Sequence, residues 1–233
     1  HFDIPLTEKI GKRLQITDFG YTIAELAENV IQEADAIRYK TAEYNGLFAG
    51  KLKISSASTG KYVIPFFLSP FLDIHPGIDL ELDVSNKNTV LQHLKNNEVD
   101  FALVSVLPDD MEVNEEILLE NKLYLVGDKP DLDGDRPLIY REEGSATGIA
   151  MNKYFGNEKE RKKLKLTSNE AVKQAVIAGL GYSILPIIGI KNEISNGQLH
   201  IIDAKGLPMV TNWRIIWLKK KKLAPISKAF LQY

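Results

Sequence analysis

Strand-like and helix-like segments alternate along most of this chain, and this alternation restricts its fold more than any other feature. Residues 51–56, 78–84 and 99–106 form apolar or alternating runs that are typical of β-strands. Helix-like segments lie between these runs, at 61–75 and 85–97. Strands that alternate with helices predict a parallel sheet whose crossover connections are right-handed.

A second series follows residues 128–137, which are rich in Asp, Pro and Gly and are the best candidate for a domain crossing. The strand-like segment 122–127 lies directly before this crossing. The strand-like segments after it are 137–140, 164–167, 182–186, 199–203 and 212–220, and the helix-like segments are 149–156, 170–179, 187–195 and 224–233. Thr167 and Glu170 have the spacing of a capping box that would open the helix at 170. Two similar units, joined by a crossing strand and a returning strand, predict a two-lobed α/β binding fold. In such folds ligands lie outside the carboxyl ends of the strands.

A repeat of period 3.5 runs through residues 17–46, ahead of the first of these strands. Large and small residues alternate in this repeat, and they follow one another at spacings of 4 and 3 residues. The members of the repeat are Ile23, Ala27, Val30, Ala34, Ile37, Thr41 and Tyr44. A stripe held for three heptads predicts a helix that packs against another helix. The partner is either a second copy of the chain, as in a dimerising linker helix, or the core of the helix's own domain.

Composition excludes several classes of protein. The chain has 233 residues and a net charge of −2, which fits one large or two small globular domains and argues against strong nucleic-acid binding by the chain as given. No run of 18 apolar residues occurs, so we expect no membrane span. The start lacks both an initiator Met and an apolar signal stretch, which indicates a fragment or a processed form.

The sequence offers no convincing set of catalytic or metal-binding residues. Cysteine is absent, and His1, His75, His93 and His200 lie far apart without a metal-ligand spacing. No nucleophile–base pair and no phosphate-binding or dinucleotide motif is found. We therefore expect neither an enzyme nor a bound cofactor or metal.

Polar residues recur where helices begin after strands. They are found at 58–60, 85–86, 144–147 and 168–169. Each set can be explained as an ordinary helix N-cap, because Ser, Thr and Asn are the usual capping residues. Helix amino ends also present free N–H groups that hold anions or polar ligands. Because a bilobed fold would bring these starts to one cleft, their recurrence favours a ligand site.

The whole chain resembles a LysR-type transcriptional regulator that lacks most of its winged helix-turn-helix. The resemblance is carried by residues 4–20, 50–86, 96–104, 142–148, 166–186 and 212–231, which begin IPLTEKIG, GKLKISSASTG, NNEVDFALV, EEGSATG, LTSNEAVKQ and NWRIIWLKK. The later segments are most similar to the branch that regulates carbon-fixation or sulfur-assimilation operons.

The resemblance implies two Rossmann-like subdomains of the type 2 periplasmic-binding-protein kind, preceded by a long linker helix. The implied divisions are a wing remnant at 1–16, a linker and dimerisation helix at 17–46, effector subdomain I at 50–128 and 213–233, and effector subdomain II at 129–212. Ile23, Ala27, Val30, Ala34, Ile37 and Tyr44 would then form the contact between subunits. Lys9, Lys12 and Arg13 of the wing would touch the DNA backbone.

The resemblance also implies which residues contact the effector. They are Ser58 and Thr59, Asn86 and Lys87, Ser105, Ser145 and Thr147, and Ser168 and Asn169. This sequence departs from relatives at two positions. Lys87 stands where many members have a small hydroxyl residue, and Gly148 stands where several continue with arginine. The resemblance therefore does not predict a particular acidic effector for this chain.

The function expected from these observations is that of a bacterial transcription regulator that acts in the cytoplasm. The chain would supply the effector-sensing and oligomerisation region, controlling an N-terminal DNA-binding domain that reads operator DNA. The partners would be a small polar or anionic metabolite and further copies of the chain, as a homodimer or homotetramer, with no membrane. The alternative is a periplasmic-type solute-binding protein. An enzyme on the same scaffold would need a cofactor lysine or an acid–base pair, and neither is found.

Overall fold

The computed structural model describes residues 3–44, 48–132, 135–158 and 160–233, except for the side chains at positions 32, 42 and 43. His1 and positions 45 and 46, the predicted end of the linker helix, lie outside the described residues. The chain divides into two compact units, one formed by 1–51 with 75–79 and the other by 52–74 with 80–233.

The first unit contains a hairpin and one long helix. Strands β1 (Thr7–Ile10) and β2 (Arg13–Ile16) pair antiparallel, and α1 spans Asp18–Tyr44. The hydroxyl of Thr17 accepts a hydrogen bond from the backbone N–H of Gly20 at 3.0 Å and so caps the first turn of α1. A Cβ at Gly20 would lie 2.1 Å from the carbonyl oxygen of Leu6, so only glycine lets the helix lie this close to the preceding chain.

Three of the four large side chains of the repeat on α1 are exposed, and the fourth, Ile23, is half-buried. Val30 is 69 % exposed, Ile37 70 % and Tyr44 96 %. These three side chains therefore do not lie in the core of their own domain, as one of the two interpretations of the repeat required. Exposed apolar side chains at heptad spacing are typical of a helix whose partner is another chain.

The remaining elements form an α/β fold, as the sequence predicted. The strands are β3 (Ala49–Ala57), β4 (Gly77–Ser85), β5 (Phe101–Val104), β6 (Val113–Gly127), β7 (Leu138–Arg141), β8 (Lys163–Leu166), β9 (Ser183–Pro186), β10 (His200–Ile201) and β11 (Met209–Leu218). The helices are α2 (Ile64–Ile74), α3 (Lys87–Lys95), α4 (Ala146–Phe155), α5 (Asn169–Ile177), α6 (Lys191–Ser195) and α7 (Pro225–Gln232). Short 3-10 turns occupy 58–62 and 187–189. No helix among these described residues is long and apolar enough to cross a membrane.

The main sheet is mixed, and the parallel arrangement predicted for the first series is found in its pair of β3 and β5. Its order is β10-β6-β11-β5-β3-β4, and β9 also pairs with β6. Strands β3 and β5 run parallel, as do β7 and β8 in a separate pair. Strand β11 pairs antiparallel with both β5 and β6. Strand β11 is the predicted returning strand, which comes back from the second series and enters the first sheet in the opposite direction.

Strand β6 is the crossing strand, and it is much longer than the six residues predicted for it. Its residues 113–123 pair with β11, and its residues 123–126 pair with β9. The part of β6 before residue 122 was not predicted, because Asn114, Glu115 and Glu116 interrupt the apolar pattern there. The crossing strand therefore belongs to both series, while the subdomain boundaries given above stay a prediction.

Among the described residues, three groups of buried side chains hold α3, α4 and α5 on the sheets. Met151 and Phe155 of α4 pack with residues of β6, β7 and β9. Val172 and Val176 of α5 pack in a second group that contains Ile139 of β7. The third group joins α3 to β5 and β11. Because each helix is fixed in this way, its first turn has a defined position at the end of a strand.

Candidate functional site

One cavity in the second unit gathers most of the polar residues that the sequence singled out. The space between its lining atoms is about 410 Å³, part of which is open to solvent. Seven of the nine predicted effector contacts line it, namely Ser58, Thr59, Lys87, Ser105, Ser145, Thr147 and Asn169. These residues follow the carboxyl ends of β3, β4, β5, β7 and β8. The placement agrees with the general position of ligands in open α/β sheets.

The other two predicted contacts, Asn86 and Ser168, are exposed and lie outside this lining. The side chain of Asn86 accepts a hydrogen bond from the backbone N–H of Thr89 at 3.0 Å. The hydroxyl of Ser168 accepts one from Ala171 at 3.0 Å. Both residues therefore act as helix caps, which is the ordinary role of their residue types.

The predicted capping box at the start of α5 is wrong by one residue. Ser168, rather than Thr167, is the N-cap, and the helix begins at Asn169. The side chain of Glu170 is consequently not turned back to cap the helix. It binds Tyr62, Lys61 and Lys173 instead.

A buried arginine in the lining was missed from the sequence. Arg141 is the last residue of β7, and its side chain is 3 % exposed. Its Nε donates to the carboxylate of Glu142 at 2.6 Å, and its Nη2 donates to the other oxygen of the same carboxylate. Its Nη1 donates to the hydroxyl of Ser58 at 3.4 Å. Its position at the carboxyl end of a strand, directly before a polar loop, was the signal that could have identified it.

Hydrogen bonds across the cavity join the first series of elements to the second. The hydroxyl oxygen of Ser58 accepts from Asn169 Nδ2 at 3.2 Å as well as from Arg141. Thr147 Oγ1 donates to Asn169 Oδ1 at 3.4 Å. Through its single hydroxyl, Ser58 therefore ties the end of β3 to the end of β7 and to the start of α5.

Close packing requires glycine at position 148. A Cβ at Gly148 would lie 2.8 Å from both the carbonyl oxygen of Glu142 and the hydroxyl of Ser145. Ser145 is the N-cap of α4, and its hydroxyl accepts from the backbone N–H of Gly148 at 3.1 Å. The buried cation of the described lining is Arg141.

Positive charge exceeds negative charge around the cavity. Lys87 and Arg141 are the cations of the described lining, and Glu142 is its carboxylate. Within the part of the chain that the structure describes, Lys87 makes no ion pair. The first turns of α3, α4 and α5 add the partial positive charge of helix amino ends. The arrangement suits a ligand that carries negative charge.

A cluster of charged groups lies directly beside the cavity. Lys173 Nζ lies 2.7 Å from Glu193 and 3.1 Å from Glu170, and Lys61 Nζ lies 3.2 Å from Glu170. Burial alone would lower the pKa of Lys173, but its hydrogen bonds to the two carboxylates outweigh burial and raise the pKa. Burial would likewise raise the pKa of Glu170, but hydrogen bonds from Tyr62, Lys173 and Lys61 lower it. Both groups are therefore held in their charged forms.

Trp213 also lines the cavity and was not predicted to do so. It lies on β11 and is only 1 % exposed. Its indole N–H finds no acceptor among the described residues. In the sequence it stands in an apolar strand, where a buried tryptophan is read as part of the core.

The described residues contain no group of three or more His, Asp or Glu side chains that could hold a metal ion. The cations Lys87 and Arg141, the hydroxyls and the helix starts of the described lining can bind and orient an anion. The arrangement is that of a binding site.

The sequence matches the family model of the LysR substrate binding domain over residues 45–233. It is 33 % identical to the HTH-type transcriptional activator CmpR of Synechocystis, over 99 % of this chain and 80 % of that protein. It is 32 % identical to a RuBisCO operon transcriptional regulator of Acidithiobacillus ferrooxidans, over 98 % of this chain and 78 % of that protein.

Two solved structures illustrate the likeness of the fold. The CcmR regulatory domain of Synechocystis, in complex with 2-PG, has a TM-score of 0.71 and 31 % identity, covering 79 % of this chain and 95 % of that one. A full-length OxyR variant from Pseudomonas aeruginosa has a TM-score of 0.66 and 19 % identity, covering 97 % of this chain and 82 % of that one. These likenesses confirm the predicted α/β fold of paired Rossmann-like subdomains with a long helix before them.

Proposed function

Because this chain belongs to the LysR family of transcriptional regulators, we propose that its cavity binds a small anionic effector and that α1 joins it to a second subunit. The family is one of regulators rather than enzymes, and residues 45–233 are its effector-binding domain. Because the relatives are regulators over nearly the whole chain, the alternative of a periplasmic-type solute-binding protein is not favoured.

The observation that supports an anionic effector most directly is the buried guanidinium of Arg141. A charge with a side-chain exposure of 3 % must be paired, because an isolated buried ion is strongly disfavoured. Its partner, Glu142, also lines the cavity. An incoming anion can therefore take the place of the Glu142 carboxylate on the guanidinium. Lys87 offers a second cation. Guanidinium groups bind carboxylates and phosphates through paired hydrogen bonds, which gives orientation as well as affinity.

Binding in this cavity would change the bonds that cross it. Ser58 accepts from Arg141 and Asn169, and both of these donors could turn to a ligand oxygen. A ligand that fits best at one distance between the first and second series of elements would favour the conformation with that distance. The change could then pass along the chain as a movement of one subdomain relative to the other.

The first compound to test is 2-PG, since the CcmR regulatory domain is in complex with it. We expect titration calorimetry to detect 2-PG binding, and we expect Lys87→Gln to weaken it by about ten- to a hundredfold through loss of a charged hydrogen bond. Lys95→Gln is the matched control, because Lys95 lies at the other end of α3 and outside the cavity. Equal losses in both variants would indicate a general charge effect. A failure of 2-PG and of a panel of carboxylate and phosphate metabolites to bind would contradict the proposal.

The proposed subunit contact is the stripe on α1. Val30, Ile37 and Tyr44 are exposed, while Ile23 is half-buried and Ala27 and Ala34 are exposed small residues between them. Large and small residues that alternate along a heptad stripe let two helices approach closely. The simplest assembly with such a contact is a homodimer, and two homodimers can associate further into a homotetramer.

The proposed DNA contact belongs to the hairpin of β1 and β2. Lys9, Lys12 and Arg13 are exposed on or beside its strands. These cations would touch phosphate groups when a complete winged helix reads operator DNA in the cytoplasm. Because phosphate contacts carry no sequence information, the hairpin would add affinity and leave the choice of operator to the recognition helix.

A further inference from the structure

We infer that the effector accepts a hydrogen bond from the indole N–H of Trp213, so that Trp213 selects ligands with an oxyanion oxygen at this part of the cavity. This inference rests on the proposed effector function of the same cavity. Trp213 is 1 % exposed and lines the cavity, and its N–H has no acceptor among the described residues. A buried donor without an acceptor is rare in folded proteins and marks a place where another group completes the bond.

The position of Trp213 is fixed by the sheet. Strand β11 lies between β6 and β5, and Trp213 stands opposite Leu119 of β6. The ladder shifts its register between Trp213 and Arg214, so the irregularity falls directly beside the indole. The pairing with β6 fixes the backbone of Trp213, and β5 joins the other side of β11 from Arg214 onward. Because the residue is only 1 % exposed, close packing around the indole restricts its rotamers.

The chemistry of the indole restricts the ligand. An indole N–H is a donor only, so it can pair with a carboxylate, phosphate or carbonyl oxygen and with no ammonium or methyl group. Arg141 and Lys87 in the same lining favour negative charge. A carboxylate or phosphate oxygen satisfies both requirements. A site with a buried donor rejects analogues that lack the matching acceptor, because the donor is then left unpaired.

The chain provides a matched control on the same strand. It contains two tryptophans, and Trp217 lies four residues after Trp213 on β11. The ring of Trp217 packs edge-on against Phe101, with 5.9 Å between centroids, and does not line the cavity. Substitution of either residue with phenylalanine removes one indole N–H and keeps an aromatic ring.

The experiment is a titration of ¹⁵N-labelled protein with 2-PG and with inorganic phosphate, followed through the two indole N–H signals. Trp213→Phe and Trp217→Phe assign these signals and are also titrated by calorimetry. We expect the Trp213 signal to move on binding and the Trp217 signal to stay. We expect Trp213→Phe to raise the Kd for 2-PG by about tenfold or more, and Trp217→Phe to change it by less than about twofold. A response to phosphate as well would assign the accepting oxygen to a phosphate-type group, and a response to 2-PG alone would assign it to another group of 2-PG.

The outcomes separate this inference from the function on which it rests. If neither probe moves any resonance, the effector site itself is refuted and the inference falls with it. If 2-PG binds while the Trp213 signal stays and Trp213→Phe binds equally well, the inference alone is refuted. If Trp213→Phe does not fold, the Trp213 signal of the unaltered protein decides, because its movement supports the bond and its constancy refutes it.

Discussion

The hydroxyl of Tyr62 donates a hydrogen bond to the carboxylate of Glu170, which lies 108 residues later in the chain. Tyr62 ends the 3-10 turn after β3, and Glu170 is the second residue of α5. Thr59 and Asn169, which line the proposed effector cavity, are close to them in sequence. The bond therefore joins the two series of elements beside the cavity, and a movement that widens the cavity would stretch it.

Removal of this hydroxyl should destabilise the domain. We expect Tyr62→Phe to lower the free energy of unfolding by about 1 kcal/mol, less than a fully buried bond to a charged group would give, because Tyr62 is only half-buried. Urea denaturation measures the change. Tyr124→Phe is the matched control, since Tyr124 is also half-buried and its hydroxyl donates no hydrogen bond among the described residues. Equal changes in the two variants would show that the Tyr62 bond adds nothing.

The lowered pKa of Glu170 predicts how stability depends on pH. Burial would raise this pKa, but hydrogen bonds from Tyr62, Lys173 and Lys61 lower it in the folded state below its unfolded value. The carboxylate therefore stabilises the fold above the unfolded pKa of about 4.3, and this contribution is lost as the pH falls through the folded pKa. We expect the difference in unfolding free energy between the unaltered protein and Glu170→Gln to shrink between about pH 5 and pH 3. A difference that stays constant with pH would contradict this assignment.

The sequence predicted the polar side of the cavity well and its charged and aromatic sides poorly. Ser58 and Asn169 were found because polar residues directly after a strand are visible as a pattern. Asn86 and Ser168 have the same pattern, yet their side chains cap helices. The residues that follow them, Lys87 and Asn169, line the cavity instead. Arg141 was missed although it ends a strand directly before a polar loop, and Trp213 was missed because it stands within an apolar strand. Only the three-dimensional structure reveals that both side chains line the same cavity.

The carboxylate of Glu142 should weaken binding of anions to the cavity. It holds the guanidinium of Arg141 through two hydrogen bonds, so an anionic ligand must compete with it. We expect Glu142→Gln to lower the Kd for 2-PG by about tenfold, because a neutral amide gives up the guanidinium more readily. Glu143→Gln is the control for a general change of charge, since Glu143 is exposed and does not line the cavity. Weaker binding by Glu142→Gln would show instead that Glu142 orients Arg141 for the ligand.

The stripe on α1 predicts the oligomeric state. We expect the double substitution Val30→Glu with Ile37→Glu to raise the dissociation constant of the dimer by at least about a hundredfold, because it places unpaired charges in an apolar helix contact. Sedimentation velocity measures the size of the assembly. Thr22→Glu with Asn29→Glu is the matched control, as it adds the same charge at the same seven-residue spacing at exposed positions of α1 outside the stripe. If the stripe forms the contact, the control assembles like the unaltered protein and the Val30 and Ile37 variant does not. If both variants keep the size of the unaltered protein, the subunits meet through another surface, and the exposed stripe on α1 serves a different partner.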